Sequence, residues 1–443
     1  MIRIGIDIGG TFTDFVFYDS EKNTYSTFKI SSTPDNPAEA VIQGLQLISD
    51  GKLSKIIHGS TVATNALLER KGVRTALIST KGFKDIIQIG RQNRQSLYDL
   101  FIEPLPPIIS SDMRFEIDER VEHTGEILKS INTAEIGSLI DSLKSNKTES
   151  VAICLLFSYI HPKHEELLAE HLRQAGFFIT CSNELLPEFR EYERCSTTAV
   201  NAYISPILAR YLASLERSMQ STKIHIMQSN GGMIDIDHAK QFGVRCILSG
   251  PAGGVIGANY IASSISQGES VNEEKIITFD MGGTSTDISL INHAPTLSKE
   301  SVVGGMPIAI PLLDIHTVGA GGGSIASVDP GGALRVGPES AGAHPGPACY
   351  GVGRAPTVTD ANLVLGRIIP DHFLGGKIKL DIHRASQSIN RLGDSLGMGI
   401  HETALGIIEV VNAHMERALR VGSVEKGYDP RDFSLFTFGG AGG

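Results

Sequence analysis

The 443 residues are 41% hydrophobic and 20% charged, and because one hydrophobic core stops growing at about 250–300 residues, at least two domains are expected. The formal net charge of −10 argues against nucleic acid or an anionic membrane as a partner. Five cysteines without a CxxC pair, and a start that lacks the features of a signal peptide, predict reduced thiols in a cytoplasmic protein.

The first part of the chain predicts a mixed α/β sheet. Over residues 2–33, short β-branched runs alternate with Gly, Asp and Asn, which predicts two or three strands joined by tight turns. Helical spacing and short apolar runs then alternate as far as residue 175. This alternation is typical of a sheet with helices on its faces.

A helix-rich stretch over residues 188–219 follows, and it contains Pro206, where a kink or break is expected. The alternation of strands with glycine turns begins again at residue 275. We therefore expect a domain border near the helix-rich stretch, which gives an N-terminal domain of residues 1–185 and a second domain of residues 186–443.

An internal repeat is the most informative feature of the sequence. Residues 7–14 read DIGGTFTD and residues 280–287 read DMGGTSTD, so that six of eight positions are identical. Each copy follows an apolar strand and precedes alternating residues that suit a returning strand. Each copy therefore predicts a β-hairpin with a glycine turn.

These residue types suit phosphate and Mg²⁺. Paired glycines let backbone N–H groups approach phosphate oxygens, threonine hydroxyls add donors, and an aspartate at a strand end holds Mg²⁺ or orients a water. One copy alone fits an ordinary tight turn equally well, whereas two copies favour a triphosphate site. Neither copy shows the GxGxxG of a dinucleotide fold. The predicted phosphate ligands are Gly9, Gly10, Thr11, Thr13, Gly282, Gly283, Thr284 and Thr286, and the predicted Mg²⁺ ligands are Asp7 and Asp280.

A last strand over residues 434–438 runs into a turn that begins at Gly439 and Gly440. Glycines there would let the backbone pack against an adenosine, which completes an ATP site in the expected order. Because a domain seldom ends on such a turn, we expect the second domain to be truncated at Gly443.

Other polar segments leave alternatives open. The segment 58–65 joins a strand to a helix, and its Ser60 and Thr61 either bind an anion or carbonyl group or cap the helix. Asp314 and His316 suit a second divalent metal or a general base, although such a pair is more often a structural hydrogen bond. The charged residues of 190–194 either form a solvated face, which we favour, or reach a ligand.

Taken together, these motifs resemble those of the HyuA-type subunit of hydantoinases, 5-oxoprolinases and acetone or acetophenone carboxylases. The resemblance implies the actin, sugar-kinase and Hsp70 type of ATPase fold, in which duplicated RNase H-like mixed sheets with flanking helices form two lobes around a nucleotide cleft. It also implies a HyuB-type partner subunit and an oligomer. The matching segments are 5–14, 58–70, 189–194, 228–232, 249–254, 279–287, 314–324, 341–351 and 357–362.

The expected function is ATP-dependent hydrolysis of a cyclic amide of the 5-oxoproline, hydantoin or N-methylhydantoin class, through phosphorylation of the amide oxygen. An ATP-dependent ketone carboxylase subunit and a non-catalytic nucleotide-binding subunit are the alternatives. The residues expected to take part in catalysis are Asp7, Asp280, Asp314 and His316.

Overall fold

The computed structural model describes residues 2–9, 12–33, 36–47, 53–93, 98, 101, 105–219, 223–265, 275–376 and 378–442. The chain divides into two compact units. Unit 1 comprises residues 1–252 together with 297–312, and unit 2 comprises residues 253–296 together with 313–443. Among the described residues, no helix is both long enough and apolar enough to cross a membrane.

The elements up to residue 252 alternate between strands and helices, as the sequence predicts. In chain order they are β1 (Ile2–Ile8), β2 (Phe12–Asp19), β3 (Thr24–Ser31), α1 (Pro37–Gln46), β4 (Leu53–Ser60), α2 (Val62–Leu68), β5 (Thr75–Thr80), α3 (Ile86–Ile89), β6 (Arg114–Ile117), β7 (Arg120–Val121), β8 (Ile127–Lys129), α4 (Thr133–Ser145), β9 (Ser150–Cys154), α5 (Lys163–Gln174), β10 (Phe178–Cys181), α6 (Ser182–Leu185), α7 (Glu191–Ser218), β11 (Lys223–Met227), β12 (Met233–Asp235) and α8 (Ile236–Gln241), with α9 (Ser249–Ile265) beginning in this unit.

The first sheet of unit 1 has the strand order β12-β11-β4-β1-β2-β3. β1 is antiparallel to β2 and parallel to β4, and β4 is in turn parallel to β11. Ile4, Ile6 and Ile8 are buried on one face of β1, which is the period-two pattern of a half-buried strand. Because β11 and β12 lie after residue 186, the expected border at 185/186 runs through this sheet.

The second sheet of unit 1, β10-β9-β5-β6, is parallel throughout. Every residue of β5 and β9 is buried, as parallel strands covered on both faces require. The 28-residue helix α7 packs against β9 and continues through Pro206 without a break. Arg194 of α7 donates to the Leu155 carbonyl just after β9, and the Leu156 N–H donates to the Thr80 hydroxyl at the end of β5. The carboxyl ends of β5 and β9 and the start of α7 therefore lie in the same region of unit 1.

Unit 2 repeats the hairpin architecture. From residue 275 onward the elements are β13 (Lys275–Met281), β14 (Thr286–Asn292), β15 (Ala294–Pro295), β16 (Leu297–Ser298), β17 (Ser301–Val303), β18 (Met306–Ile308), β19 (Leu312–Leu313), β20 (Ile315–Val318), β21 (Ser324–Val328), β22 (Leu334–Ser340), α10 (Val358–Val364), α11 (Ile382–Leu396), α12 (Ile400–Gly422) and β23 (Ser434–Phe438). Residues 297–312, with their short strands, belong to unit 1.

The sheet of unit 2 has the order β15-β14-β13-β23, with β20 paired to β14. β13 is antiparallel to β14 and parallel to β23, as β1 is to β2 and β4. In each unit a third strand, β3 or β20, pairs antiparallel with the second strand of the hairpin. The prediction of duplicated RNase H-like mixed sheets is thus confirmed.

A buried histidine joins β1 to α7 within unit 1. His58 of β4 is 1% exposed, its Nδ1 lies 3.3 Å from the carbonyl oxygen of Ile6, and its Nε2 lies 2.6 Å from the hydroxyl of Tyr211. A carbonyl oxygen only accepts, so Nδ1 carries the proton and Nε2 accepts from Tyr211. Burial lowers the pKa of His58 from 6.5 to about 4. The neutral imidazole is therefore the form that is favoured in the folded protein.

We expect this histidine to make unfolding pH-dependent. Because the folded-state pKa is below the unfolded value, the stabilisation is complete above pH 6.5 and is lost as the pH falls toward 4. Between pH 7 and pH 5 the free energy of unfolding should fall by about 2 kcal/mol more in the wild type than in His58→Gln. Urea unfolding followed by circular dichroism at the two pH values measures this difference. Equal pH dependence in both proteins would contradict the buried neutral histidine.

Candidate active site

The first predicted phosphate turn follows β1. Asp7 lies opposite Asp14 in the β1–β2 register, and its side chain is on the exposed face of β1. A Cβ atom added to Gly59, at the end of the parallel neighbour β4, would lie 3.2 Å from Asp7 Oδ1. The carboxylate of Asp7 is thus bordered by a glycine of the neighbouring strand. Gly10 and Thr11 lie outside the described residues.

Thr13 has a different environment from the one its position in the motif suggests. Its side chain is 0% exposed, and its hydroxyl lies 3.0 Å from that of Ser32. The Ser32 hydroxyl donates to the carbonyl oxygen of Gly9 at 2.8 Å, so Thr13 donates to Ser32. Thr13 and Ser32 therefore hold Gly9, at the end of β1, from the buried side of the hairpin. The sequence pattern did not indicate Ser32.

All residues of the second turn, between β13 and β14, belong to the described part of the chain. Asp280 lies opposite Asp287, and the backbone N–H of Gly282 donates to the Ser285 carbonyl at 2.9 Å. Gly283 and Thr284 are exposed at the tip. A Cβ atom on Gly283 would meet no described atom within 4 Å. The tip thus presents backbone to an open space, which is the arrangement that a phosphate group requires.

Thr286 is buried beneath this second turn, as Thr13 is beneath the first. Its hydroxyl donates to the carbonyl oxygen of Ala320 at 2.6 Å. Of the two threonines predicted in this copy to contact phosphate, the structure exposes only Thr284.

A glycine-rich segment supports the second turn. The backbone N–H groups of Gly322 and Gly323 donate to the carbonyl oxygens of Gly282 and Gly283 at 3.0 and 2.6 Å. A Cβ atom on Gly321 would lie 2.8 Å from three backbone atoms of residues 282–284. Only glycine permits this approach, so the segment that follows Asp314 and His316 orients the turn.

Gly321→Ala should therefore displace the second turn. Since the three contacted atoms belong to the backbone, we expect a loss of about 1–3 kcal/mol in stability and at least about tenfold weaker ATP binding. The matched control is Gly257→Ala in α9, where an added Cβ meets nothing within 4 Å. Calorimetric unfolding and ATP titration of both variants give the comparison. An unchanged ATP affinity in a folded Gly321→Ala protein would disprove the supporting role.

The carboxyl group of Asp280 has an unusual environment. Burial, together with the charge of Asp287, raises the pKa of Asp280 to about 6. Burial also raises the pKa of Asp287, against the effect of a 2.5 Å hydrogen bond that its carboxylate accepts from Thr317. A cation beside Asp280 would relieve the repulsion between these two carboxylates.

The predicted adenosine turn lies directly beside Asp280. Gly439 has a φ of +90°, and a Cβ atom there would lie 2.3 Å from Asp280 Oδ1. The backbone N–H of Ala441 donates to the Met281 carbonyl at 2.8 Å, which holds the turn against β13. Gly440 is exposed and has open space where a side chain would be. Gly59 in unit 1 and Gly439 in unit 2 thus border the strand-end aspartate of their own unit.

Asp314 and His316 are not held together by the structure. Asp314 forms an ion pair with Lys426, and its backbone carbonyl accepts from Ser289. His316 lies opposite Ile288 on β20, where a positive charge would lower the pKa of the neighbouring Asp287. These contacts agree with the structural hydrogen-bond alternative for Asp314 and leave His316 as the member of the pair nearer the second turn.

The described residues fit Mg²⁺ better than a metal held entirely by protein ligands. In the described ranges no group of three His, Cys, Asp or Glu side chains is arranged to hold a metal ion. Asp360 is buried and accepts hydrogen bonds from the backbone of Ala348, Cys349 and Thr357. Mg²⁺ keeps several waters and binds one or two carboxylates with substrate phosphates, so it does not require such a group of protein ligands.

Two of the four charged residues of 190–194 are buried and do not belong to a solvated face. Arg194 is 0% exposed and Glu193 is 6% exposed, which makes the expectation wrong for both. Glu193 accepts hydrogen bonds from Arg91 and Arg190.

In the segment 58–65, the Ser60 hydroxyl accepts from the Val62 N–H, and the Thr61 hydroxyl donates to the Ile8 carbonyl. The Ser60 bond agrees with the capping alternative, whereas the Thr61 side chain bonds to β1 and makes no cap hydrogen bond to the helix.

The chain is similar in sequence to proteins of one family. The profile of the hydantoinase/oxoprolinase N-terminal region matches residues 3–176, and the hydantoinase/oxoprolinase profile matches residues 194–443. Caprolactamase subunit alpha of Pseudomonas jessenii is 38% identical over 100% of the chain and 65% of its own length. The 5-oxoprolinase of Saccharomyces cerevisiae is 36% identical over 100% of the chain and 38% of its own length.

Two solved structures share the fold. The crystal structure of the ATP-dependent caprolactamase from Pseudomonas jessenii superimposes with a TM-score of 0.84 at 37% identity, over 98% of this chain and 65% of that one. The nucleotide-free structure of acetone carboxylase gives a TM-score of 0.81 at 30% identity, over 99% and 65%. The chain thus spans about two thirds of these proteins and less of the 5-oxoprolinase.

Proposed function

Because the chain belongs to the hydantoinase/oxoprolinase family, we propose that it contributes the ATP-binding part of an enzyme that hydrolyses a cyclic amide of the 5-oxoproline, hydantoin or N-methylhydantoin class. The observation that carries this proposal is the duplicated hairpin, in which a glycine borders the strand-end aspartate in each unit, Gly59 beside Asp7 and Gly439 beside Asp280. The caprolactamase and 5-oxoprolinase relatives support it, since both names describe the opening of a lactam.

The chemistry explains why ATP is needed. An unstrained lactam is a poor electrophile, and transfer of the γ-phosphoryl group to its oxygen makes the ring carbon electrophilic. Water then adds to that carbon and the ring C–N bond breaks, which leaves an acyl phosphate. A second water attacks the same carbon and releases inorganic phosphate and the carboxylate. In this proposal the backbone of Gly283 and Thr284 holds phosphate oxygens, and Asp7 and Asp280 hold Mg²⁺. The ion, when bound, neutralises phosphate charge. A HyuB-type subunit and an oligomeric assembly complete the proposal.

Oxygen labelling tests the proposed step. With 5-oxoproline labelled by ¹⁸O at the ring carbonyl, phosphorylation of that oxygen followed by attack of water on carbon delivers the label to inorganic phosphate. Mass spectrometry of the phosphate released by the assembled enzyme should therefore detect ¹⁸O. If ring opening proceeds and the label stays wholly in the carboxylate product, water does not cleave the carbon–oxygen bond of a phosphorylated amide, and the proposed step is wrong.

A ketone carboxylase subunit is the second candidate, and the similarity to acetone carboxylase favours it. The same phosphate turns would then serve activation of a carbonyl or bicarbonate oxygen. Phosphate release that requires both bicarbonate and a ketone, and that does not respond to lactams, would select this candidate.

A further inference from the structure

A serine that lies outside the sequence repeat is placed beside the tip of the second turn. Ser340 is the last residue of β22, and its hydroxyl oxygen lies 3.4 Å from that of Thr284. Thr284 is exposed and Ser340 is half-buried, so the pair lies at the surface of unit 2. Ser340 immediately precedes the segment 341–351, one of those on which the family resemblance rests. The fold thus brings this segment to the predicted phosphate turn.

Backbone contacts fix the position of Ser340 relative to the turn. The Ala341 N–H donates to the Gly323 carbonyl at 2.9 Å, and the Gly323 N–H donates to the Gly283 carbonyl at 2.6 Å. A Cβ atom on Gly323 would lie 3.1 Å from the Ser340 hydroxyl oxygen and 2.8 Å from the Gly283 carbonyl oxygen. Because Gly323 has no side chain, both groups can approach it.

The hydroxyl proton of Ser340 is available to a ligand. The Ser340 oxygen accepts from the Gly342 N–H at 3.1 Å, which closes a turn at Gly342, where φ is +60°. The distance of 3.4 Å to the Thr284 hydroxyl exceeds the usual O–H···O distance of about 2.5–3.0 Å. Among the residues that the structure describes, no nearer acceptor bonds to this proton. The hydroxyl can therefore donate to an oxygen that enters from solvent.

The arrangement of donors indicates the class of ligand. Two hydroxyl groups 3.4 Å apart can both donate to one oxygen, and a phosphate oxygen is a charged acceptor that takes several hydrogen bonds. The backbone of Gly283 and Thr284, to which the proposed function assigns phosphate, lies at the same tip. On the basis of that function, we propose that Ser340 is a further phosphate-binding residue, whose hydroxyl donates with that of Thr284 to one oxygen of the ATP phosphates.

Calorimetric titration of Mg·ATP into two variants of the complete chain separates phosphate binding from support of the local turn. Ser340→Ala should bind ATP about tenfold more weakly than the wild type, because a hydrogen bond to a charged acceptor is lost. Ser340→Asp keeps an oxygen that can accept from the Gly342 N–H, but it replaces the donor by a negative charge. ATP binding should therefore weaken by at least about a further tenfold in Ser340→Asp. If the hydroxyl served only the turn, Ser340→Asp would bind ATP as the wild type does.

Ser327→Ala and Ser327→Asp are the matched controls. Ser327 lies on β21 of the same hairpin, is also half-buried, and pairs with Arg335. Both controls should bind ATP as the wild type does, and thermal unfolding should change little in all four variants.

The outcomes separate this inference from the proposed function. If the wild type binds ATP and Ser340→Ala binds it as tightly as Ser327→Ala, Ser340 does not contact phosphate, and the proposed nucleotide site remains without it. Binding by Ser340→Asp that is no weaker than that of Ser340→Ala leads to the same conclusion. If the wild-type chain does not bind ATP, the proposed function is wrong together with this assignment.

Discussion

ATP turnover should be lost in Asp7→Ala and in Asp280→Ala, with a fall of at least about a hundredfold in the rate of phosphate release. In the proposed site each carboxylate holds Mg²⁺ at the end of its strand, and alanine removes that charge without removing core volume. The fold of Asp280→Ala should be retained or stabilised, because burial and Asp287 already disfavour the ionised carboxylate at position 280. Phosphate release and thermal unfolding are measured on the same preparations.

Asp19→Ala is the control for these two variants. Asp19 lies in the same hairpin as Asp7 but at its opposite end, where it pairs with Ile2, and it accepts hydrogen bonds from the following turn. Its replacement should leave phosphate release unchanged. Wild-type rates in a folded Asp7→Ala or Asp280→Ala protein would refute the metal-site assignment.

Gly283→Val should weaken ATP binding by at least about tenfold with little change in stability. The structure leaves open space around a Cβ atom at this position, and the glycine does not have a positive φ. Valine is therefore tolerated by the protein itself, and its side chain occupies the space in which we place a phosphate group. Calorimetric titration with ATP and Mg²⁺ gives the affinity, and differential scanning calorimetry gives the stability.

Gly5→Val serves as the comparison, since β1 also has open space around a Cβ atom at that position, two residues before Asp7. ATP affinity should be unchanged there. Equal affinities for ATP in Gly283→Val and Gly5→Val would mean that the tip of the second turn does not hold phosphate.

The sequence was sufficient for those parts of the fold that local pattern determines. Both hairpins follow from an apolar strand, a glycine turn and a returning strand, and the structure confirms them at β1–β2 and β13–β14. The composition of unit 1 could not be predicted in this way. In the first sheet, β11 pairs in parallel with β4. Unit 1 also includes residues 297–312. Such pairings join residues that are far apart in sequence and leave no local pattern.

Within the site, strand periodicity could have corrected two assignments. Thr13 shares the buried face of β2 with Phe15, and Thr286 shares that of β14 with Ile288, so both alternations place the threonine beneath the turn. The support that Gly321 gives to the second turn could not have been deduced, because it depends on contacts across about forty residues of chain. The burial of Arg194 likewise follows from packing of α7 on the second sheet, which a charged sequence at a helix start does not reveal.

Calorimetric titration of Mg·ATP into the purified chain, followed by phosphate release with and without 5-oxoproline or hydantoin, tests the central claim most directly. We predict saturable binding with one ATP per chain and, in the assembled enzyme, phosphate release that is stimulated by the lactam. Absence of ATP binding to a folded chain would contradict the assignment of the glycine turns to phosphate binding.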